Sequence, residues 1–197
     1  NNNEYKIGVY YFPGWKDNQV ISPYPEPWNK IKPYPEREPL SGWYREGDVT
    51  VTEQQLKWMA DYEIDYVVYD WYWGDWKKTP MSDHALEAYF RASNKKLVNF
   101  SILWANHDKS PKTLVEFKSM VNYWINNYFN RPEFQKIDGK PIVFIFSAAT
   151  LEVNARKFGS STKELLELAN QAAISKGFPG IYFVGGAGAY DKVFTGD

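Results

Sequence analysis

Short apolar runs alternate with helical patterns along most of this chain, and that alternation constrains its fold more than any other feature. The runs are rich in β-branched and aromatic residues, as expected of buried strands. They occupy residues 6–12, 66–73, 97–105, 141–146 and 180–186. Because strands and helices alternate, the sequence predicts an α/β fold with a parallel sheet and helices packed against it.

Four helical patterns lie between these runs, and each begins at residues whose side chains can accept hydrogen bonds from free backbone N–H groups. The expected starts are Thr52 with Gln55, Ser82, Ser110 with Pro111, and Ser161 with Glu164. The first helix is predicted over residues 53–62, and Gly177 is expected just after the fourth helix.

The turn after the first run separates two candidate folds. A doubly wound sheet usually has a glycine-rich phosphate-binding turn there, whereas this chain continues with FPGW at 12–15. A barrel is therefore favoured. A complete barrel typically needs ~250 residues, and this chain has 197. We expect residues 1–197 to form the N-terminal part of a single (β/α)8 TIM-type barrel domain, with about the first five βα units present.

The longest predicted connection covers residues 16–48 and combines six prolines with several aromatic residues. So many prolines exclude a regular helix or a central strand. In a barrel, a loop that follows a strand lies over the C-terminal face, where active sites are built. The loop is expected either to contact a ligand, with Trp43 as a substrate-binding residue, or only to cover the end of the barrel.

Composition narrows the possible partners. The 23 basic and 24 acidic residues give a net charge of -1, so no nucleic acid or anionic membrane is expected as a partner. There is no cysteine and no apolar run long enough to span a membrane. The N-terminal NNNEYK lacks the features of a signal peptide. Localisation stays open, with a secreted, periplasmic or cell-surface location favoured over the cytoplasm.

Aromatic and polar side chains concentrate at the ends of the first three predicted strands, in the strings YYFPGW, YDWYWGDW and LWANHD. Flat rings beside Asp, Asn and His suit a ligand with apolar faces and many hydroxyl groups, which describes a sugar. Asp70 stands within an apolar strand, so its carboxylate must be hydrogen-bonded, paired or protonated. Asp70 is therefore expected either to have a structural role, with its carboxylate hydrogen-bonded inside the protein, or to bind substrate or transfer a proton; the sequence favours neither.

Other chemistries have little support in the sequence. His84 and His107 show no metal-binding spacing, so no metal and no cofactor are expected. Ser147 is not part of a GxSxG motif. The GGAGAY string at 185–190 lacks the Lys-Ser/Thr ending of a phosphate loop. It is predicted to be a tight turn or a loop after the fifth strand whose small residues let a ligand approach the backbone.

Several strings in combination identify a family resemblance over about residues 5–148: IGVYYFPGW, PLSGWYREGD, TEQQLKWMADYEIDYVVYDWYWG, FSILWANHD and NRPEFQKIDGKPIVFIF. Together they resemble glycoside hydrolase family 99-like domains, including the WbsX-type group. The resemblance implies a (β/α)8 barrel that acts on glycans, by hydrolysis in the endo-mannosidase branch and by transfer in the polysaccharide-biosynthesis branch. The residues that would line its sugar subsites are Tyr10, Tyr11, Asp70, Tyr72, Trp73, Trp104, Asn106 and His107.

The resemblance also implies a catalytic pair of glutamates three positions apart on a later strand. Glu164 and Glu167 have that spacing but belong to the fourth helical pattern. We therefore expect the pair to lie C-terminal to this chain, with Asp70 as the catalytic candidate within it. The predicted function is an endo-mannosidase-like glycoside hydrolase acting on an oligosaccharide or polysaccharide. A non-catalytic glycan-binding barrel and a glycosyltransferase of polysaccharide biosynthesis remain the alternatives.

Overall fold

The computed structural model describes residues 5–15, 28–74, 79–81, 83–107 and 110–186. Its strands are β1 Gly8–Tyr11, β2 Tyr66–Gly74, β3 Thr79–Met81, β4 Asn99–Trp104, β5 Lys136–Ile137, β6 Lys140–Ile145 and β7 Tyr182–Gly185. Its α-helices are α1 Val49–Asp61, α2 His84–Arg91, α3 Leu114–Trp124, α4 Ala148–Lys157 and α5 Thr162–Ile174. Parallel strands alternate with helices, as predicted. Among the described residues, no helix is long and apolar enough to cross a membrane.

The chain divides into two compact units, one made of Asn1–Tyr69 with Ser82–Val98 and the other of Asp70–Met81 with Asn99–Asp197. In the first unit, β1 runs parallel to the first half of β2, with Gly8 opposite Tyr66. Helix α1 packs against α2. The cap predicted for α2, Ser82, lies outside the described residues.

Helix α1 begins earlier than predicted. Asp48 is its N-cap, and the carboxylate accepts a hydrogen bond from the Thr50 backbone N–H at 2.9 Å. Thr52, the predicted cap, lies inside the helix and donates its hydroxyl to the Asp48 carbonyl at 3.1 Å. The start at Thr52 was wrong because a stronger acceptor stands one turn upstream.

The second unit carries most of the parallel sheet. Strands β4 and β6 are parallel neighbours, with Ile102 opposite Val143, and β7 pairs in parallel with the other side of β6. The end of β2 joins this unit, where the Ala105 N–H donates to the Trp71 carbonyl at 2.9 Å. Strands β3 and β5 are short antiparallel additions to β2 and β6.

Helix α3 starts later than the sequence predicts. Its N-cap is Thr113, whose hydroxyl accepts the Glu116 N–H. Ser110, part of the predicted start, instead donates its hydroxyl to the Asn106 carbonyl at 2.7 Å. The buried face of α3 carries Phe117, Val121 and Trp124.

Helix α4 was not predicted. Only Leu151 and Ala155 along it are buried, so its apolar stripe is too weak to be recognised in the sequence. Helix α5 follows with the capping box of Ser161 and Glu164 that the sequence indicates. Its cap is Ser175, so Gly177, which has a φ of 90°, comes one residue later than expected.

Candidate functional site

The second half of β2 presents two different faces. Trp71 and Trp73 are buried, whereas Asp70 and Tyr72 between them are half-buried. Because successive side chains of a strand point to opposite sides, the two pairs belong to opposite faces of the sheet. The Trp71 ring packs against Trp124 of α3, with the ring centres 5.6 Å apart. Asp70 and Tyr72 therefore lie on the face turned away from α3.

His107 links this face to the neighbouring strands. Its ring lies edge-on to Tyr72, with centres 6.4 Å apart, and 4.2 Å from the ring of Phe146, which directly follows β6. Phe146 is 41% exposed. We call Asp70, Tyr72, His107 and Phe146 the strand-end cluster. Phe146 was missed by the sequence analysis, which treated it as the last residue of a buried run.

Asp70 is the acid of the strand-end cluster. Burial raises the pKa of its carboxyl above the usual value, and the nearby His107 counteracts part of that rise. A carboxyl whose pKa lies closer to neutrality is better able to donate or accept a proton at the working pH.

A pH-dependent stability test follows from this shift. A raised pKa means that the folded state binds the proton more tightly, so the contribution of Asp70 to stability falls as pH rises above the unfolded value of about 3.8. Asp70→Asn should therefore match the wild type in thermal midpoint at about pH 3 and exceed it at about pH 7.

Asp65→Asn provides the matched control with the opposite sign. The Asp65 carboxylate accepts hydrogen bonds from Lys6 and from the Ile7 N–H, both at 2.8 Å, and these contacts lower its pKa. Its stabilising contribution is present above the unfolded pKa and is lost as pH falls. Asp65→Asn should lower the midpoint at neutral pH. A lower midpoint for Asp70→Asn as well would contradict the assignment of Asp70 as a destabilised carboxylate.

A pocket of about 600 Å³ adjoins the strand-end cluster and shares His107 with it. One wall is the loop that follows β4, and the other is one face of α4. The described lining residues are Asn106, His107, Ser110, Pro111, Lys112, Ala149, Thr150, Val153, Asn154, Lys157 and Phe158. We call this cavity the strand-end pocket; its volume falls within the usual range for small-molecule sites.

Asn106 shapes this pocket through the backbone. Its side chain donates to the Ser147 carbonyl at 2.7 Å and accepts the Ser147 N–H at 2.9 Å. The residue is buried, and both of its polar atoms are thus occupied by the start of α4. The resemblance placed Asn106 in a sugar subsite. In the structure, its two hydrogen bonds to Ser147 connect the end of β4 to the segment that follows β6.

Trp73 and Trp104 do not reach the strand-end cluster. Both rings are buried, Trp73 against Tyr123 and Trp104 against Trp124. They pack between the sheet and α3, so they have almost no surface to offer a ligand. We therefore leave both out of the candidate site, in contrast to the expectation from the resemblance.

The remaining predicted residues lie in the first unit. Tyr10 is 65% exposed on β1. Tyr11 donates its hydroxyl to Gln55 at 3.0 Å, and burial together with the charge of Glu46 raises its pKa. Trp43 is half-buried, with its ring 5.4 Å from that of Trp28, so it contributes to the packing of its loop.

Glu46 is a buried acid that the sequence analysis overlooked. It is 3% exposed, accepts the Trp15 N–H at 2.6 Å, and lies 3.8 Å from Nε2 of His84. In the sequence it is an ordinary charged residue of a proline-rich loop, and no spacing marks it as special. Its contacts tie the segment after β1 to the segment that precedes α1.

Sequence comparison assigns the family. A profile of the family described as "Glycosyltransferase WbsX" matches residues 32–194, which is most of the chain. This chain belongs to the WbsX family. No curated protein is detectably similar to this WbsX-family chain in sequence.

Solved structures resemble the WbsX-family chain in fold. A "glycoside hydrolase-like protein" matches with a TM-score of 0.62 at 15% identity, over 93% of this chain and 52% of its own. The GH99 endo-alpha-mannosidase from Bacteroides thetaiotaomicron, in complex with BIS-TRIS-propane, matches with a TM-score of 0.51 at 16% identity, over 72% and 42% respectively. A second structure of that enzyme matches with a TM-score of 0.50 at 15% identity, over 72% and 45%. The chain thus spans about half the length of these proteins, and its α/β fold is that of the glycoside hydrolase family 99 barrels.

Proposed function

We propose that this chain is part of a glycoside hydrolase-like protein that binds an oligosaccharide or polysaccharide at the strand-end cluster. The observation that carries the proposal is a half-buried carboxyl, Asp70, on the same face as the rings of Tyr72, His107 and Phe146. Rings provide contact area for the C–H faces of a sugar, and the carboxyl and imidazole provide directional hydrogen bonds.

Asp70 alone does not supply the chemistry of hydrolysis. Cleavage of a glycosidic bond requires two carboxyl groups on either side of it, about 5 to 10 Å apart depending on the stereochemical outcome. The described part of the strand-end cluster contains one. We propose that the catalytic pair lies C-terminal to this chain and that Asp70 binds substrate or assists proton transfer. The chain's coverage of about half of its structural neighbours supports this division.

The same proposal includes a barrel of which this chain is the N-terminal part. Parallel strands are normally covered on both faces, yet alternate residues of β1 are exposed, including Tyr10. Further strands that close the barrel, or helices packed on this face, would cover the Tyr10 ring. An endo-acting mannosidase is our first candidate for the whole protein, since endo-mannosidases are among the proteins with this fold.

Variants of the ring residues test the binding site directly. We expect Tyr72→Ala and His107→Ala each to weaken binding of α-mannan oligosaccharides about tenfold in calorimetry, because each removes a contact surface at the cluster. Tyr182→Ala is the matched control, since Tyr182 is an exposed ring at the opposite, N-terminal end of β7. An equal loss of glycan affinity in all three variants, or no loss in any of them, would show that the strand-end cluster is not the glycan-binding site.

Glycosyl transfer is the second candidate, favoured by the description of the family. A transferase takes its sugar from an activated donor, so binding of a nucleoside diphosphate to this chain, measured by calorimetry, would support transfer. The same measurement separates the two functions, because a hydrolase has no need of a nucleotide.

A further inference from the structure

A second cavity, of about 200 Å³, lies in the first unit between helix α1 and the loop that precedes it. Pockets for drug-sized ligands usually measure about 300 to 1,000 Å³, so this smaller cavity suits a single small ring. The described lining residues are Ser41 and Tyr44 from the loop and Thr50, Val51, Gln54, Gln55 and Trp58 from α1. We call this cavity the α1 pocket.

Helical spacing forms the α1 wall of this pocket. Gln54, Gln55 and Trp58 lie three, four and seven positions after Val51, which places the four side chains on one face of the helix. Leu56 is the buried apolar residue of α1 and is 1% exposed, whereas Gln54 and Trp58 are exposed. This face of α1 is therefore only partly covered by packing and is open to a ligand.

Tyr44 forms the loop wall, and Trp28 holds it in place. The indole N–H of Trp28 donates to the Tyr44 carbonyl at 2.6 Å, and the two rings meet edge to face with their centres 5.3 Å apart. Trp28 is itself buried, at 3% exposure. The loop wall is thus formed before a ligand arrives, which lowers the entropic cost of binding.

The polar side chains of the α1 pocket divide into held and available groups. Gln55 is held by its hydrogen bond with the Tyr11 hydroxyl at 3.0 Å, and the Thr50 hydroxyl donates to the Asp48 carboxylate at 2.8 Å. Within the described ranges, the side chains of Gln54 and Ser41 have no hydrogen-bonding partner. Their amide and hydroxyl groups are therefore available to a ligand.

Trp58 provides the flat apolar surface of the pocket and is 46% exposed. Single exposed aromatic residues are common on proteins and by themselves indicate no site. This ring, however, borders a cavity that also contains amide and hydroxyl groups. A ring packs against the C–H face of a sugar, and amides and hydroxyls both donate and accept hydrogen bonds, as sugar hydroxyls do.

We propose that the α1 pocket is a second glycan-binding site, which holds one hexose residue against Trp58 while Gln54 and Gln55 hydrogen-bond to its hydroxyls. The inference goes beyond the strand-end cluster and rests on the proposed function only for the class of ligand. It also gives the loop before α1 a part in ligand binding, through Ser41 and Tyr44 rather than through Trp43.

Heteronuclear NMR of the full chain tests this site separately from the strand-end cluster. The titrants are the neutral trisaccharides α-mannotriose, cellotriose and maltotriose. The Trp58 indole signal and the side-chain amide signals of Gln54 and Gln55 report on the α1 pocket, whereas the backbone amides of Tyr72 and His107 report on the strand-end cluster. Each site therefore gives its own Kd. Phenol, a ring of similar size that lacks the sugar hydroxyls, is the control ligand.

We expect at least one trisaccharide, but not phenol, to shift the signals of the α1 pocket until they saturate. Trp58→Ala should raise the Kd at this pocket about tenfold, and Gln54→Ala about threefold. Trp58→Phe keeps a ring and should raise the Kd less than Trp58→Ala does. None of the three should change the Kd at the strand-end cluster. Tyr182→Ala, which removes a ring of similar exposure at 43%, should leave the α1 pocket unchanged.

The outcomes separate this inference from the proposed function. Shifts confined to the strand-end cluster overturn the second site and leave the proposed function intact. Shifts confined to the α1 pocket support the second site and overturn binding at the cluster. No shift at either site with any trisaccharide overturns both. If phenol shifts the α1-pocket signals as the trisaccharides do, or if Trp58→Ala and Tyr182→Ala have equal effects there, the pocket is not a sugar site.

Discussion

Replacing Trp71 by alanine is expected to lower the free energy of unfolding by about 3 to 5 kcal/mol, the usual cost of removing a large buried ring. The side chain is 1% exposed, and its ring centre lies 5.7 Å from that of Trp73 and 5.6 Å from that of Trp124. Its indole N–H also donates to the Tyr128 hydroxyl at 2.9 Å. The variant would leave a cavity at the centre of the aromatic layer between β2 and α3.

Urea denaturation followed by circular dichroism measures this loss. Trp58→Ala is the matched control, because Trp58 is 46% exposed on α1, and its replacement should change stability by no more than about 0.5 kcal/mol. Comparable small effects for both variants would contradict the placement of Trp71 in the core.

The strands were predictable because continuous apolar, β-branched runs suit a sheet that is covered on both faces. The run at 141–146 corresponds to β6, Lys140–Ile145, within one residue. The run at 6–12 is longer than the strand it predicts, because β1 covers only Gly8–Tyr11. Apolar character continues past the last residue that pairs with a neighbouring strand, so a run marks the strand but not its ends.

Helix starts were less predictable because several side chains compete for the same backbone donors. Asp48, Thr50 and Thr52 are all acceptable N-caps for α1, and the carboxylate of Asp48 takes the role. For α3, the same competition places the cap at Thr113 rather than Ser110. Local sequence defines a set of possible caps, and the cap is the residue whose side chain accepts a free backbone N–H of the first turn, Asp48 in α1 and Thr113 in α3.

The candidate site illustrates a different limit. The period of two in YDWYW separates Asp70 and Tyr72 from Trp71 and Trp73. It does not say which pair faces the helices. Only the packing of Tyr123 and other residues of α3 against the tryptophans decides this. Choosing residues by their position at a strand end therefore included Trp73, which belongs to the core.

Asn106→Ala is expected to destabilise the chain by about 1 to 3 kcal/mol, because it removes the acceptor of the Ser147 N–H and one of the two donors to the Ser147 carbonyl. Asn127→Ala is the control. Its amide makes a single hydrogen bond to the Tyr123 carbonyl on an exposed part of the chain, so its loss should cost less than about 1 kcal/mol.

Hydrogen exchange at the start of α4 distinguishes the structural role of Asn106 from a role in ligand binding. If the side chain holds Ser147, amide protection in Asn106→Ala should fall at Ser147 and at Leu151, whose N–H donates to the Ser147 carbonyl. If Asn106→Ala instead loses glycan affinity while its amide protection and stability stay unchanged, Asn106 contacts the sugar directly. Because α4 forms one wall of the strand-end pocket, loosening its first turn should also weaken any ligand that the pocket holds.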